Sequence, residues 1–170
     1  MPINIYTNKE IAKITASGML AFETHMLLKD HIRPGVSTAE LDELVRAHLS
    51  RKKARPSFLG FGGFPGAICT SINDAVVHGI PSAGHVLREG DIIGIDLGVD
   101  LEGYYSDTAW TWPVGRVTDE ARQLITATQQ GLFRGIAEAR PESRMGAIGE
   151  AVQKHAEGAG FSVVRELVGH

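Results

Sequence analysis

The spacing of hydrophobic residues follows a helical period over roughly the first 50 positions of the chain. Residues 7–10 (Thr-Asn-Lys-Glu) have the spacing of a capping box, in which a hydroxyl and a carboxylate satisfy early backbone donors reciprocally. Apolar residues then recur at helical intervals as far as Lys29, and Pro34 with Gly35 interrupts the pattern. A second capping box at 37–40 opens a run with its apolar residues on one face. The pattern therefore predicts two helices.

The hydrophobic period changes to that of strands after a loop rich in glycine and proline at residues 55–66. Strand-like runs follow at 67–72, 75–79, 91–99 and 104–112. Helical patterns return at about 118–139 and 145–157, and a last apolar run at 161–168 is typical of the start of a strand. The sequence thus predicts two helix pairs, each followed by strands, with the second set of strands only beginning.

The two predicted helix pairs share residue types at one constant offset. The matching positions, 107 residues apart, are Arg33, Pro34, Leu41, Glu43, Val45 and His48 with Arg140, Pro141, Ile148, Glu150, Val152 and His155. A single offset for all six pairs favours a duplicated unit over chance, with a first repeat at about 8–113 and a second at about 118–170. Equivalent halves would need roughly 50 or more further residues. We therefore expect residues 1–170 to be part of a larger domain.

The best candidate for chemistry is a pair of aspartates in a predicted hairpin. With Leu101 and Glu102 at the tip, Asp96 lies directly opposite Asp107, and opposed residues have Cβ atoms about 5 Å apart. Two carboxylates held so close repel each other, unless one takes up a proton or a cation binds between them. A pair of divalent metals about 3.5–4 Å apart fits such a site. The alternative is two solvated aspartates near a turn.

Small residues flank the first of these aspartates on its own face of the strand. Gly94 and Gly98 each lie two positions from Asp96, which leaves room for ions and substrate. The alternate residues of the strand, Ile93, Ile95 and Leu97, point the other way, into a predicted core. A glycine-lined face on an otherwise buried strand favours the metal site over the solvated pair.

A second hairpin is predicted with its tip at residues 73–74, an Asn-Asp pair suited to a tight turn. In this hairpin Cys69 faces His78, which is either a donor to a substrate amide or a satisfied core histidine. Cys69 has no paired base in the sequence, so we expect a packing residue rather than a nucleophile. Phe61 and Phe64, in the preceding loop, either line a pocket or cover the edge of a core.

Composition narrows the class of protein. The formal net charge is −3 and no basic run with interleaved aromatics occurs, which argues against nucleic acid or anionic lipid as a partner. The single cysteine excludes an internal disulfide. No run of about 18 apolar residues occurs, so no membrane span is predicted, and the first residues lack the apolar segment of a signal peptide. A cytoplasmic location is therefore expected.

Four motifs in order give the chain a recognisable pattern. They are ICTSINDAVVHGIP, DIIGIDLGV, YYSDTAWTWPVG and a terminal LVGH. In order and spacing, over essentially all 170 residues, the sequence resembles the type I methionine aminopeptidases. The resemblance implies two divalent metal ions, with Asp96 as a chelating ligand, Asp107 as a bridging ligand and His170 as a further ligand. It also implies that His78 contacts the substrate.

The resemblance further implies a methionine pocket and a fold. Phe61, Phe64 and Cys69 match the pocket residues, although tyrosine is frequent in the family at the two phenylalanine positions. The implied fold is the α+β pita-bread fold, a curved antiparallel sheet with two pseudo-symmetric helix-helix-strand halves, the second incomplete here. The metal is expected to be Co, Mn, Fe or Zn, since a mixed carboxylate–imidazole ligand set suits all four.

The implied activity is hydrolytic removal of the N-terminal methionine from nascent peptides, near the ribosome, by a protein that is a monomer when complete. Three of an expected five metal ligands occur in the chain, so we expect the chain alone to be an incomplete, inactive form of a metalloaminopeptidase. Two alternatives stay open at this point. One is a related peptidase that cleaves before proline, and the other is a non-catalytic binding protein of the same fold.

Overall fold

The computed structural model describes residues 3–170, which contain four α-helices and four strands. The helices are α1 (Asn8–Lys29), α2 (Thr38–Arg51), α3 (Asp119–Glu138) and α4 (Met145–Gly158). The strands are β1 (Arg55–Pro56), β2 (Ile68–Ile72), β3 (Ile92–Leu101) and β4 (Tyr104–Pro113), and a short 3-10 helix spans Phe61–Gly63. The chain divides into two compact units, of which unit 1 ends at Arg116 and unit 2 begins at Val117. The predicted α+β class is confirmed.

Both predicted capping boxes are present. The backbone N–H of Thr7 donates to the Glu10 carboxylate at 2.7 Å, and the Glu10 N–H donates to the Thr7 hydroxyl at 3.4 Å. Ser37 and Glu40 repeat the arrangement at the start of α2. In each box the hydrogen bonds from the cap residue's backbone and hydroxyl lower the pKa of the glutamate. The first helix also ends at Lys29, as predicted.

The sheet of unit 1 is antiparallel and is built around β3. Short strands β1 and β2 pair with different segments of β3, while β4 pairs with its whole length. On one face of β3, the side chains of Ile93, Ile95, Leu97 and Val99 are fully buried with leucines of α1 and α2. Burial of one such side chain stabilises the fold by roughly 1.5–3 kcal/mol. This face therefore holds the helices against the sheet, as the alternation of the strand predicted.

The hairpin between β3 and β4 has a different register from the predicted one. Its tip is Glu102 and Gly103, so Asp96 pairs with Ala109 and Asp107 pairs with Gly98. Both tip residues have positive φ, 55° and 81°, which is the backbone that a tight two-residue hairpin requires and that glycine adopts readily. The predicted direct opposition of the two aspartates is therefore wrong. A shift of two positions nevertheless keeps both side chains on the predicted face.

The second predicted hairpin is also wrong, because residues 75–79 do not form a strand. Strand β2 pairs instead with β3, and the partner of Cys69 is Asp96 rather than His78. The returning segment touches β2 where the Thr70 N–H donates to the Gly79 carbonyl at 2.8 Å. His78 has φ +59°, a left-handed conformation that interrupts an extended chain.

Unit 2 contains the second helix pair. Helices α3 and α4 pack closely at Gly135, where an added Cβ would lie 2.9 Å from Cγ2 of Val152. Helix α4 begins and ends 107 residues after α2, and both have 14 residues, in agreement with the repeat in the sequence. The strand predicted at 161–168 is absent, because no other strand exists among the described residues of unit 2 to supply hydrogen-bond partners.

Within residues 3–170, no helix combines the length and the apolar character that crossing a bilayer would require.

Candidate metal centre

Two carboxylates lie together on the face of the unit 1 sheet that is turned away from the core. Asp96 is in the middle of β3 and is half-buried, whereas Asp107 is on β4 and is exposed. Because Asp107 pairs with Gly98, two positions along β3 from Asp96, the two aspartates are diagonal neighbours on one face. A carboxylate oxygen of each lies within 4.8 Å of one from the other. The predicted juxtaposition is therefore present in the corrected register.

The neighbours of this pair are small, but not all of the space they leave is open. Next to Gly94, the nearest atoms to an added Cβ are 3.7 Å away or more. At Gly98 an added Cβ would overlap the hydroxyl of Ser57 and lie 2.9 Å from the ring of Phe58. The Ser57 N–H also donates to the Gly98 carbonyl at 3.0 Å. The missing side chain at position 98 therefore admits the loop after β1, and Phe58 covers one side of the carboxylate face.

A second acidic residue of β3 has a structural role. Asp100 is almost fully buried and forms an ion pair with Arg55 of β1. Its other carboxylate oxygen accepts from the Gly103 N–H at 2.9 Å, across the hairpin turn. The charge of Asp100 is thus balanced by Arg55, and its hydrogen bond from Gly103 stabilises the turn that sets the register of Asp107.

Cys69 is on β2, and its thiol lies beside the two aspartates. Cys69 is buried and pairs directly with Asp96. Burial, and to a smaller degree the negative charges of Asp96 and Asp107, raise the pKa of this thiol to about 11. Such a cysteine carries very little thiolate at neutral pH and is a poor nucleophile. Both aspartates therefore act electrostatically on the same position.

Of the histidine and aromatic residues singled out in the sequence, His78 and Phe64 lie in loops of unit 1 and Phe61 begins its short 3-10 helix. His78 is exposed, and the adjoining Gly79 approaches Thr70 so closely that a Cβ at Gly79 would overlap the Thr70 carbonyl. This contact fixes the loop of His78 against the strand that carries Cys69. Phe61 is 80% exposed, so it does not line a closed pocket within this unit. Phe64 is half-buried.

The remaining predicted ligand, His170, belongs to unit 2. It is exposed and lies after α4, in a segment that forms neither helix nor strand.

Sequence reasoning missed Ser57 and Phe58. They lie at the start of the loop rich in glycine and proline and have no motif of their own, so only the glycine at position 98 could have indicated that another segment packs there.

Open grooves elsewhere in the molecule are lined by side chains that are less suited to binding a metal ion. One of about 600 Å³ lies between α3 and α4 in unit 2, and another of about 350 Å³ lies beside Asp42 and Arg46 of α2. The Asp42 carboxylate already accepts from the N–H groups of Ala67 and Ile68 and pairs with Arg46. We therefore assign the candidate site to the aspartates of β3 and β4 and not to these two grooves.

The two aspartates fit a divalent cation. Anionic oxygens within 4.8 Å of each other suit one shared ion or two neighbouring ions, and a cation would offset their mutual repulsion. Carboxylate oxygens are common ligands of Mn, Fe, Co and Zn in sites that also contain imidazole.

Known proteins resemble the chain over nearly its full length. Methionine aminopeptidase 1 of Bacillus subtilis is 45% identical over 164 residues, which are 96% of this chain and 66% of that protein. The methionine aminopeptidase of Clostridium acetobutylicum is 43% identical over 99% of this chain and 67% of its own length. The chain thus spans about two thirds of the length of these relatives.

Solved structures give the same result for the fold. A methionine aminopeptidase from Rickettsia prowazekii superposes with a TM-score of 0.94 at 41% identity, over 97% of this chain and 66% of that one. The enzyme from Thermotoga maritima gives 0.96 at 33% identity, over 99% and 68%. An X-Pro aminopeptidase from Thermotoga maritima shares the fold at 19% identity, with a TM-score of 0.78 over 92% and 42%. The predicted pita-bread fold is confirmed.

The sequence profile of Metallopeptidase family M24 matches residues 8–170, a stretch that includes both carboxylates and nearly the whole chain. The predicted resemblance to methionine aminopeptidases is confirmed by relatives at 40–45% identity. The chain therefore belongs to metallopeptidase family M24.

Proposed function

We propose that the protein is a methionine aminopeptidase, which removes the first methionine of a peptide by metal-assisted hydrolysis. The observation that carries the proposal is the Asp96–Asp107 pair on adjacent strands, in a chain of family M24. The identity of the chain to proteins named methionine aminopeptidase supports the substrate class.

Asp96, Asp107 and His170 are the residues proposed to hold the divalent ions. The closeness of the two carboxylates supports the first two, and the terminal LVGH motif supports His170. Together they offer carboxylate and imidazole donors, the set that accommodates Mn, Fe, Co or Zn. The chemistry that such ions supply when bound is Lewis-acid polarisation of a carbonyl and a lowered pKa of water.

The protein's own groups would orient and accommodate the substrate. His78, on a loop fixed through Gly79, would donate a hydrogen bond near the scissile amide. The protonated thiol of Cys69, with Phe61 and Phe64, would contact the methionine side chain. Its thioether is flexible and polarisable, so it packs well against sulfur and aromatic neighbours.

The physiological setting follows from the substrate. N-terminal methionine occurs on newly made chains, so we infer action in the cytoplasm on nascent peptides near the ribosome, by a monomer without sequence-specific contacts to nucleic acid. The net charge of −3 supports the last point, since nucleic-acid binding relies on a basic surface.

The alternatives are less well supported. Peptidases that cleave before proline share the fold at 19–23% identity, which says nothing about the substrate of this chain. A non-catalytic binding protein of this fold would have no need of both carboxylates on one face.

The test is peptide hydrolysis by the intact protein that contains this chain. After metal removal and addition of Mn²⁺ or Co²⁺, a Met-Ala-type peptide should be cleaved, and an X-Pro peptide of equal length should not. Asp107→Asn should lower kcat/KM by at least about 100-fold, because losing an outer-shell partner of a metal ligand already costs roughly 10–100-fold.

Glu102→Gln is the matched control for that substitution. It removes one carboxylate from the same hairpin, but at the exposed tip, where the ion pair with Lys13 contributes little. The control should hydrolyse the peptide at nearly the parent rate. Equal activity of Asp107→Asn and the parent would refute the proposed function, as would hydrolysis that withstands complete metal removal.

A further inference from the structure

Helix α1 is hydrogen-bonded to the sheet behind Asp107 through a fully buried serine. The hydroxyl of Ser17 lies 3.0 Å from the carbonyl of Val99 and 3.0 Å from the hydroxyl of Ser106. A carbonyl can only accept, so Ser17 donates to Val99, and Ser106 therefore donates to Ser17. Val99 and Ser106 are register partners on β3 and β4. Ser17 thus connects the two strands at the pair next to Asp107.

A histidine of the same helix contacts the other neighbour of Asp107. His25 is 1% exposed, and its Nε2 lies 3.3 Å from the carbonyl of Thr108. Because that carbonyl only accepts, Nε2 carries the proton and donates. Burial lowers the pKa of His25, so the ring is neutral at neutral pH and still keeps this donor. Helix α1 therefore contacts β4 immediately before and immediately after Asp107, without touching its carboxylate face.

These contacts matter because of where β4 lies in the sheet. Among the described residues, β4 pairs with β3 and with no second strand. Its position relative to Asp96 is therefore set by one ladder and by the helix behind it. Metal–ligand distances tolerate only about 0.2 Å of variation, and designed sites need side chains held within roughly 0.5 Å. A small displacement of β4 would change the separation of the two carboxylates.

We propose that Ser17 and His25 are positioning residues that hold Asp107 in place for metal binding, by fixing the β4 residues on either side of it. The inference rests on the metal site of the proposed function and adds two residues that lie on the opposite face of the sheet. Neither residue touches the substrate or the metal, so their effect passes through the backbone of Ser106 and Thr108.

The experiment measures metal binding in the intact protein rather than activity. Titration calorimetry with Mn²⁺ on metal-depleted protein gives Kd, and the visible absorption of the Co²⁺ form reports ligand geometry. His25→Phe keeps a ring but removes the donor, and it should raise Kd about 3–10-fold, below the roughly 10–100-fold seen for direct partners of ligands. Ser17→Ala should act in the same direction. His25→Gln, which retains a donor of similar reach, should restore most of the affinity.

Thr24→Val is the matched control on the same helix. Thr24 is also fully buried, but its hydroxyl donates within α1, to the carbonyl of Leu20 at 2.7 Å. The substitution removes a buried hydroxyl without loosening β4, so thermal stability should fall while Kd and the Co²⁺ spectrum stay unchanged. A purely structural role for His25 and Ser17 would give that same result.

The outcomes separate this inference from the proposed function. Parent-like Kd and Co²⁺ spectra in both His25→Phe and Ser17→Ala would overturn the positioning role, even if both variants melt earlier. Asp107→Asn, titrated in parallel, should bind Mn²⁺ far more weakly than the parent. Loss of binding in Asp107→Asn with unchanged binding in the α1 variants would leave the proposed function standing. Unchanged binding in Asp107→Asn would overturn both.

Discussion

The second helices of the two helix pairs, α2 and α4, match in length and apolar pattern but differ in how deeply their apolar residues are buried. Helices α2 and α4 are both 14 residues long, and their apolar residues occur at equivalent positions. In α2, Leu41 and Val45 are at most 1% exposed. The equivalent residues of α4, Ile148 and Val152, are only half-buried, and none of the described residues of α4 is fully buried.

The difference shows what a helical pattern does and does not determine. Apolar spacing decides which side of a helix is apolar, and that side is the same in both pairs. The depth of burial depends on what packs against it. Unit 1 supplies a four-stranded sheet, whereas the described part of unit 2 contains no strand. Equal patterns should therefore contribute unequal free energy.

The largest expected effect is a direct test of that inequality at equivalent valines. Val45→Ala should lower the free energy of unfolding by about 2–3 kcal/mol, because two methyl groups leave a fully buried site and a cavity remains. Val152→Ala should cost about 1 kcal/mol or less, since the side chain is already partly solvated. Urea unfolding of both variants measures the two losses in the free energy of unfolding. Equal losses would contradict the comparison.

A smaller effect is expected from the two glycines of α3 that face α4. An added Cβ at Gly135 would lie 2.9 Å from Cγ2 of Val152, but at Gly131 the nearest atom would be 3.6 Å away. Gly131→Ala should stabilise the chain by about 0.5–1 kcal/mol through helix propensity. Gly135→Ala should lose that gain to overpacking, which costs about 1–3 kcal/mol. Thermal unfolding should therefore shift in opposite directions, and a common shift would show that α4 adjusts freely.

The smallest expected effect is a pH dependence of unit 1. Burial lowers the pKa of His25 and of His48 from the ordinary value of 6.5. The unfolded chain therefore binds protons first as pH falls below 6.5, so stability present above that value is lost as pH falls through the lowered folded values. Urea midpoints at several pH values between 7.5 and 5.5 should decrease, with a shallower slope for His25→Phe. An unchanged slope in that variant would exclude His25 as a source.

Short-range patterns predicted the helices correctly, whereas the predicted strand register was wrong because the turn was misplaced. The capping boxes at Thr7 and Ser37 are short-range signals, and both were confirmed. The register of Asp96 with its partner strand depends on a turn at Glu102 and Gly103. Because the predicted hairpin tip was one position too early, every predicted pair between β3 and β4 was displaced by two residues. The aspartates could still be placed on one face, because side chains alternate with a period of two.

The other errors concern pairing over longer distances. The segment before His78 has the alternation of a strand, but β2 pairs with β3, some 25 residues further along the chain. Nothing local in the sequence distinguishes those two pairings. The contacts of Ser57 and Phe58 at Gly98 are likewise tertiary and have no periodic signal. The predicted roles of the site residues all stay predictions: metal binding by Asp96, Asp107 and His170, and substrate contacts by His78, Phe61, Phe64 and Cys69.

The alternation of β3 separates two kinds of sensitivity to substitution along one strand. At Ile93, Ile95, Leu97 and Val99 a polar replacement would reduce the amount of folded protein. Under the proposed function, a conservative exchange at Asp96 should leave that amount nearly unchanged and remove metal binding. In a library scanned residue by residue, with cellular abundance and enzymatic output recorded separately, the two readouts should therefore fall together at these core positions and diverge at Asp96. Gly98 and Asp100 should behave like the core positions, because Gly98 has no room for a side chain and Asp100 is held in a buried ion pair.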